Sequence, residues 1–200
     1  MVMNKETRSM AEEIELRSEG DNENYIEGYA LKFGTESEDL GGFIETIERG
    51  ALKDTDFSDV RALFNHNADQ IIARSSAGSL TLDVDDVGLK FKAKIPNTSY
   101  GRDLLENLRN GNINQCSFGF KLADDGDSFK YDEKRSIYKR TLNKISEILD
   151  VSVVTYPAYK DTDVAPALRS IDKIKEEHSA LEKRKREIEK LKLELELGGI

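Results

Sequence analysis

The feature that most limits the fold of this chain is a series of short β-strand patterns separated by glycine, asparagine and aspartate turns. Apolar and polar residues alternate within these segments, which is typical of strands with one buried face. The predicted strands span residues 25–33, 43–47, 60–65, 70–74, 79–84, 89–95, 113–122, 135–142 and 144–156. Closely spaced strands of this kind predict an antiparallel sheet or barrel.

One helix pattern interrupts these strands at residues 100–110. Either Thr98 or Ser99 can cap its first turn, because a side-chain oxygen there accepts a hydrogen bond from a free backbone N–H. Three leucines share one face of this segment, and Gly111 follows its last turn. The sequence therefore predicts an amphipathic helix packed against the strands.

The two ends of the chain differ from this middle part. Residues 1–24 are polar and predict a flexible N-terminal arm, and residues 25–169 form the predicted folded domain. Residues 170–200 form a predicted charged helical tail. Its apolar residues recur every seven positions, at Ile174, Leu181, Ile188 and Leu195. A second heptad line is incomplete, so a weak coiled coil or scaffold linker, a solvated helix and a disordered tail all stay open.

Charge and cysteine content exclude several classes of protein. The chain has 30 basic and 39 acidic residues, and its net charge of −9 opposes binding to nucleic acid or anionic membranes. No apolar run is long enough to span a membrane, so the chain is interpreted as soluble and cytosolic. The single cysteine excludes an internal disulfide, and two histidines are too few for a structural zinc site. We expect no cofactor and no metal.

His66 is the first candidate for a chemical role. It follows a predicted strand at a turn, whereas the other histidine, His178, lies in the charged tail. An imidazole with an ordinary pKa of about 6.5 can act as a general base near neutral pH. The alternative is an exposed turn histidine without a catalytic role.

Two further strands carry residues suited to catalysis. Cys116 and Ser117 are neighbours in one strand, so their side chains point to opposite faces. Because cysteine is more often buried, we expect Cys116 in the core and Ser117 in a cleft, with Gly119 leaving room beside it. Asp150 interrupts an apolar strand and needs a partner, either solvent at a strand edge or an imidazole that it orients.

Taken together, these segments resemble the tailed-phage prohead protease family, serine endopeptidases that are similar to the herpesvirus assembly protease. The resemblance covers about residues 12–168. The matching stretches are residues 26–33, 48–52, 62–66, 78–82, 86–89, 95–98, 116–120 and 150–159. Their order and spacing, rather than any one of them, carry the resemblance.

The resemblance implies a role for each of four residues. Ser117 is the nucleophile, His66 is the general base, and Asp150 orients the imidazole. Arg74 supports the oxyanion of the transition state, directly or through water. The sequence departs from the family at two places: Asp150 stands where glutamate is common, and Ala73 stands where the family has glycine before the arginine.

The resemblance also implies the fold class and the partners. The fold is α+β, a mostly antiparallel β-barrel core with flanking helices, like the herpesvirus protease, followed by the charged helix. The substrates are the scaffolding region or N-terminal extension of the major capsid protein, and the protease itself. Further expected partners are the portal or the prohead shell. The resemblance is also compatible with self-association, either as a dimer or through residues 171–197. The location is the assembling prohead in the host cytoplasm.

Two alternatives stay open at this stage. One is a non-catalytic capsid assembly or scaffolding protein that retains an idle protease fold. The other is a thiol protease in which Cys116 acts with His66. Strand alternation disfavours the second alternative, because the face that presents Ser117 hides Cys116.

Overall fold

The structure is a computed structural model, and it describes residues 5–19, 23–156 and 165–197. The chain divides into two compact units, Met1–Asp163 and Val164–Ile200. The first unit contains every predicted site residue. The parts of the predicted arm and tail at residues 1–4, 20–22 and 198–200 lie outside the described residues.

The described residues form twelve strands and two α-helices. The strands are β1 (Glu6–Glu13), β2 (Glu15–Glu19), β3 (Glu23–Lys32), β4 (Phe43–Ile47), β5 (Arg61–Phe64), β6 (Asn67–Arg74), β7 (Leu80–Val84), β8 (Gly88–Lys94), β9 (Gln115–Leu122), β10 (Asp127–Asp132), β11 (Ile137–Leu142) and β12 (Ile145–Val154). The helices are α1 (Ser99–Arg109) and α2 (Ala165–Leu197), and a 3₁₀ turn spans Ser75–Ala77.

The strands form three sheets. The largest has the order β1-β9-β12-β5-β6, the second has the order β2-β3-β8-β7, and the third has the order β10-β11-β4. Most neighbours are antiparallel, and the parallel pairs are β12 with β5 and β11 with β4. The predicted mixed fold with a mostly antiparallel sheet is therefore confirmed. The predicted barrel stays a prediction, because each of the three sheets formed by the described residues is open and has two edge strands.

The core lies on one face of β9. Cys116, Phe118 and Phe120 alternate along this strand and are fully buried, and the rings of the two phenylalanines lie 5.2 Å apart. Burying side chains of this size stabilises the fold by about 1.5–3 kcal/mol each. The opposite face of β9 carries Ser117 and Gly119. Strand alternation thus separates the packing face from the face with the candidate nucleophile.

Helix α1 begins and ends close to its predicted bounds. The side chain of Thr98 accepts a hydrogen bond from the backbone N–H of Gly101, which satisfies one free donor of the first turn. Gly111 follows with φ 69°, a left-handed conformation that glycine adopts without strain. Leu104 is buried, as the amphipathic pattern predicts.

The N-terminal segment differs from the prediction. Where the sequence pattern predicts a flexible arm over residues 1–24, the structure has β1 paired with β9 and β2 paired with β3. The reason is that Glu6 and Arg8 of β1 are buried in ion pairs. Apolar periodicity detects strands that bury apolar side chains, so it does not detect this one.

Helix α2 contains the charged segment that the sequence predicts as helical. It begins at Ala165, with Pro166 in its first turn, where a proline costs no hydrogen bond. Leu181, Ile188 and Leu191 are about half exposed. Within the described residues, the length and polarity of the helices do not fit a membrane span.

Candidate active site

A tight turn presents His66. Asn65 and His66 join β5 to β6, and their φ angles are 51° and 55°. Two consecutive positive φ angles are what the common two-residue turn between antiparallel strands requires, and asparagine adopts them readily. The Asn65 backbone N–H donates to the carbonyl of Val153 at 2.8 Å, and its side-chain oxygen accepts the backbone N–H of Thr155 at 2.9 Å. The turn is thus fastened to the end of β12.

Ser117 lies in the middle of β9, between β1 and β12. Its Oγ is 2.7 Å from Nε2 of His66, and the residue is completely buried. The neighbouring Cys116 points the other way, and its thiol donates to the carbonyl of Tyr29 at 3.0 Å. The geometry therefore gives the serine, and not the cysteine, the imidazole as a partner.

Asp150 of β12 completes the chain of contacts. Its Oδ1 lies 2.5 Å from Nδ1 of His66 and accepts a hydrogen bond from Ser152 Oγ at 2.7 Å. Its Oδ2 accepts a hydrogen bond from Lys5 Nζ at 2.8 Å. Both carboxylate oxygens are thereby satisfied, which is the condition for keeping a buried charge.

The electrostatics around Asp150 favour its ionised form. Burial alone would raise the pKa of this carboxyl, but the hydrogen bond and charge of His66 and the ammonium of Lys5 outweigh burial and lower the pKa to about 2. Asp150 is therefore an anion at neutral pH. An anion next to Nδ1 holds the proton on that nitrogen and leaves Nε2 free to accept a proton.

Gly119 makes room for this arrangement. It is the cross-strand neighbour of Asp150 in the ladder between β9 and β12. A Cβ at this position would collide with Asp150 Oδ2 and would lie 2.7 Å from Lys5 Cε. The sequence analysis expects Gly119 to leave room beside Ser117, and the structure shows that the room is filled by the carboxylate and the lysine.

Arg74 lies at the end of β6 and binds a different partner. Its Nε and Nη2 each donate to a carboxylate oxygen of Asp59 at 2.6 Å. This pair lowers the pKa of Asp59 well below its ordinary value, chiefly through the hydrogen bond. In the described part of the chain, no hydrogen bond joins Arg74 to His66, Ser117 or Asp150. The predicted oxyanion role of Arg74 stays a prediction.

Sequence reasoning missed Lys5 and Ser152. Ser152 had a detectable signal, because it follows Asp150 by two residues in a strand and so shares its face. Lys5 had none, since its contact with Asp150 depends on how β1 pairs with β9.

Within residues 5–19, 23–156 and 165–197 there is no group of three or more histidine, cysteine, aspartate or glutamate side chains that could hold a metal.

The contacts define a serine–imidazole–carboxylate chain on an α+β scaffold, and this chain of groups is found in several unrelated classes of serine hydrolase. Comparison with known families assigns the chain more narrowly. Residues 12–177 match the model of the caudovirus prohead serine protease family. This match covers most of the sequence, and the chain belongs to that family. The resemblance identified from the sequence motifs is thereby confirmed.

A solved structure gives a weaker likeness. The bacteriophage T4 capsid assembly protease gp21 aligns with 10% sequence identity and a TM-score of 0.49, over 76% of this chain and 97% of that chain. None of the curated proteins matches the sequence. The family match begins at residue 12, so it includes His66, Ser117 and Asp150 but not Lys5 or Arg8.

Proposed function

We propose that this protein is a serine endopeptidase that matures the phage prohead, with Ser117 as nucleophile, His66 as general base and Asp150 as the residue that orients the imidazole. The observation that carries the proposal is the continuous chain of contacts, 2.7 Å from Ser117 Oγ to His66 Nε2 and 2.5 Å from His66 Nδ1 to Asp150 Oδ1. Membership of the caudovirus prohead serine protease family supports it.

The mechanism follows from these contacts. His66 Nε2 takes the hydroxyl proton of Ser117 as Oγ attacks the carbonyl carbon of a peptide bond. The imidazolium then gives this proton to the leaving amine, the C–N bond breaks, and an acyl-enzyme ester remains on Oγ. A water molecule, deprotonated by the same Nε2, hydrolyses the ester. Asp150 stabilises the imidazolium in both steps without taking the proton.

Arg74 is the side chain that we propose for the oxyanion. A cation near the developing negative charge lowers the barrier. Nε and Nη2 of the guanidinium donate to Asp59, so Arg74 would contact the oxyanion, directly or through water, with Nη1 or after releasing Asp59. Arg74→Met tests this role: a fall in kcat of about 10²–10³-fold with an unchanged melting temperature supports it. An unchanged kcat assigns Arg74 to the ion pair alone.

The proposed substrates are the scaffolding region or N-terminal extension of the major capsid protein, and the protease chain itself. Both are peptides that are confined with the enzyme when the prohead assembles in the host cytoplasm. The portal or prohead shell, and a second copy of the protease, are the other proposed contacts. Residues 171–197 of α2 are the proposed segment for scaffold contacts or self-association, and the described side chains among them, at 171–192, are mostly exposed.

The test is intact mass against time for wild type, Ser117→Ala and Cys116→Ser, each incubated with the matching capsid protein and also inside assembled proheads. We expect wild type and Cys116→Ser to produce fragments and Ser117→Ala to stay whole. Fragments from purified Ser117→Ala would overturn the assignment of the nucleophile. If all three proteins stay whole inside proheads, the non-catalytic scaffolding alternative gains support.

A further inference from the structure

Strand β1 occupies the edge of the sheet next to the candidate nucleophile. It is the terminal strand of the five-stranded sheet, and it runs antiparallel to β9 with Ser9 opposite Ser117. The other side of β9 is paired with β12. The edge that β1 covers is therefore the one edge of β9 at which an extended peptide could add as a strand, a common mode of peptide recognition.

The backbone of β1 also contacts the nucleophile directly. Ser117 Oγ lies 2.8 Å from the carbonyl oxygen of Arg8 and 2.7 Å from Nε2 of His66. A hydroxyl has one proton, so donation to Arg8 withholds that proton from the general base. A peptide carbonyl next to Oγ is also what a substrate must present. With Ser117 completely buried, no second carbonyl can reach it while β1 is in place.

The side chains of β1 alternate in agreement with this placement. Lys5, directly before the strand, faces the site and binds Asp150, whereas Glu6 and Arg8 of β1 face the other way and are buried. Arg140 Nη2 donates to Glu6 Oε1 at 2.9 Å, and Arg8 Nε donates to Glu45 Oε1 at 2.8 Å. Buried charges are stable only when paired, so these contacts hold β1 in one register on β9.

The charges that β1 brings to this cluster cancel each other. Strand β1 contributes one carboxylate, from Glu6, and one guanidinium, from Arg8, to a cluster whose other members are Glu45, Asp127 and Arg140. Because the charges of Glu6 and Arg8 cancel, the cluster has the same net charge whether or not β1 is in place. Arg140 keeps Glu45 and Asp127 as partners when Glu6 departs, so the release strands no single unpaired charge.

We infer that β1 is an intramolecular occupant of the substrate-binding edge of β9, and that substrates bind as extended peptides in antiparallel pairing with β9 once β1 has moved away. This inference rests on the proposed function, because it concerns access to Ser117. Most of β1, residues 6–11, lies before the family match, which begins at residue 12, whereas the three site residues lie within it. The resting enzyme is thus held inactive by its own N-terminal strand.

The first experiment locks β1 in place in the full chain. Met10 lies opposite Cys116, the chain's one cysteine, so Met10→Cys allows a single cross-strand disulfide. The measurement is the rate at which a fluorophosphonate labels Ser117, together with cleavage of the capsid protein. We expect both to be lost in the oxidised protein and restored by reductant, whereas wild type, which has Cys116 alone, responds to neither condition.

The second experiment releases β1 in the full chain. Ser9→Pro removes a backbone N–H and disfavours strand pairing, and Ser9→Ala is the matched control that keeps the N–H. If the open form of wild type is a minor state of about 0.1–10%, Ser9→Pro labels about 10–1,000-fold faster than wild type. Ser9→Ala labels at the wild-type rate.

The outcomes separate the inference from the proposed function. Equal labelling of the oxidised and reduced Met10→Cys protein, with Ser117→Ala unlabelled, overturns the inference and leaves the serine mechanism intact. If Ser9→Pro loses its cooperative melting transition, the inference is tested by the labelling rates of the oxidised and reduced Met10→Cys protein alone. If Ser117→Ala is labelled and cleaves as wild type does, the proposed function fails and the inference fails with it.

Discussion

Gly119→Ala separates the orientation of the proposed catalytic carboxylate, Asp150, from the stability of the fold. The added methyl group would collide with Asp150 Oδ2 and would lie 2.7 Å from Lys5 Cε. Carbon atoms in contact are ordinarily about 3.5–4.0 Å apart, so these groups must move by about 1 Å. Asp150 is 2% exposed, and hydrogen bonds hold both of its carboxylate oxygens.

The expected cost to stability is modest and the expected cost to activity is large. Overpacking of this kind typically costs about 1–3 kcal/mol, which lowers the melting temperature of a chain of this size by roughly 2–12 °C. A misplacement of about 1 Å at a catalytic group costs about 100-fold in rate, and loss of the correct imidazole tautomer costs up to about 10⁴-fold. We therefore expect kcat to fall about 10²–10⁴-fold in a folded protein.

The assay is capsid-protein cleavage in assembled proheads at 25 °C, with thermal melting of the same preparations. Gly50→Ala is the matched control, because a Cβ at Gly50 meets no atom within 4 Å, and its activity and melting temperature should stay close to wild type. The reasoning is refuted if Gly119→Ala melts cooperatively and cleaves within about threefold of the wild-type rate, since position 119 would then tolerate a side chain beside the carboxylate.

Three other substitutions or conditions give further predictions. Asp150→Asn lowers kcat by about 10⁴-fold at neutral pH in the cleavage assay, because a neutral amide cannot hold the imidazole in its active tautomer. Asp150 also makes wild type sensitive to acid: its folded pKa of about 2 lies below its ordinary value, so its stabilisation is complete above about pH 4 and is lost as pH falls toward 2. Urea denaturation at pH 5 and pH 2.5 should show that the free energy of unfolding falls less in Asp150→Asn than in wild type. An equal fall in the two proteins would contradict the depressed pKa of Asp150. Arg140→Met leaves Glu6 and Glu45 without a main buried partner and costs about 3–5 kcal/mol in urea denaturation, whereas Lys139→Met, at a partly exposed ion pair, costs less than about 1 kcal/mol.

Local sequence patterns predicted the elements that carry the site. The strands around residues 60–65, 113–122 and 144–156 correspond to β5, β9 and β12, and helix α1 has the predicted cap. These elements bury apolar side chains with a regular period, and that period is present in the sequence. Residue chemistry then indicated which positions could react, because a serine, a histidine and an interrupting aspartate stand out against apolar strands.

Local sequence patterns do not predict the N-terminal strand β1. Its residues Glu6 and Arg8 read as surface charges, and only the ion pairs with Glu45 and Arg140 explain their burial. Those partners lie 37 and 134 residues away along the chain. A local window contains no information about partners at that distance, so the charges favour a flexible arm until the pairing is known.

Local patterns in the sequence were enough to predict most of the strands, both helices, the family and the three chemical groups that can form the site, but they did not predict β1 or β10. The tertiary structure brings these groups together: His66 is 51 residues from Ser117 and 84 from Asp150, and their contacts depend on a two-residue turn and on the pairing of β9 with β12. It also decided that β1 covers Ser117. Strand pairing and register are set by contacts between distant segments, and a one-residue slip would turn every side chain of a strand to its other face.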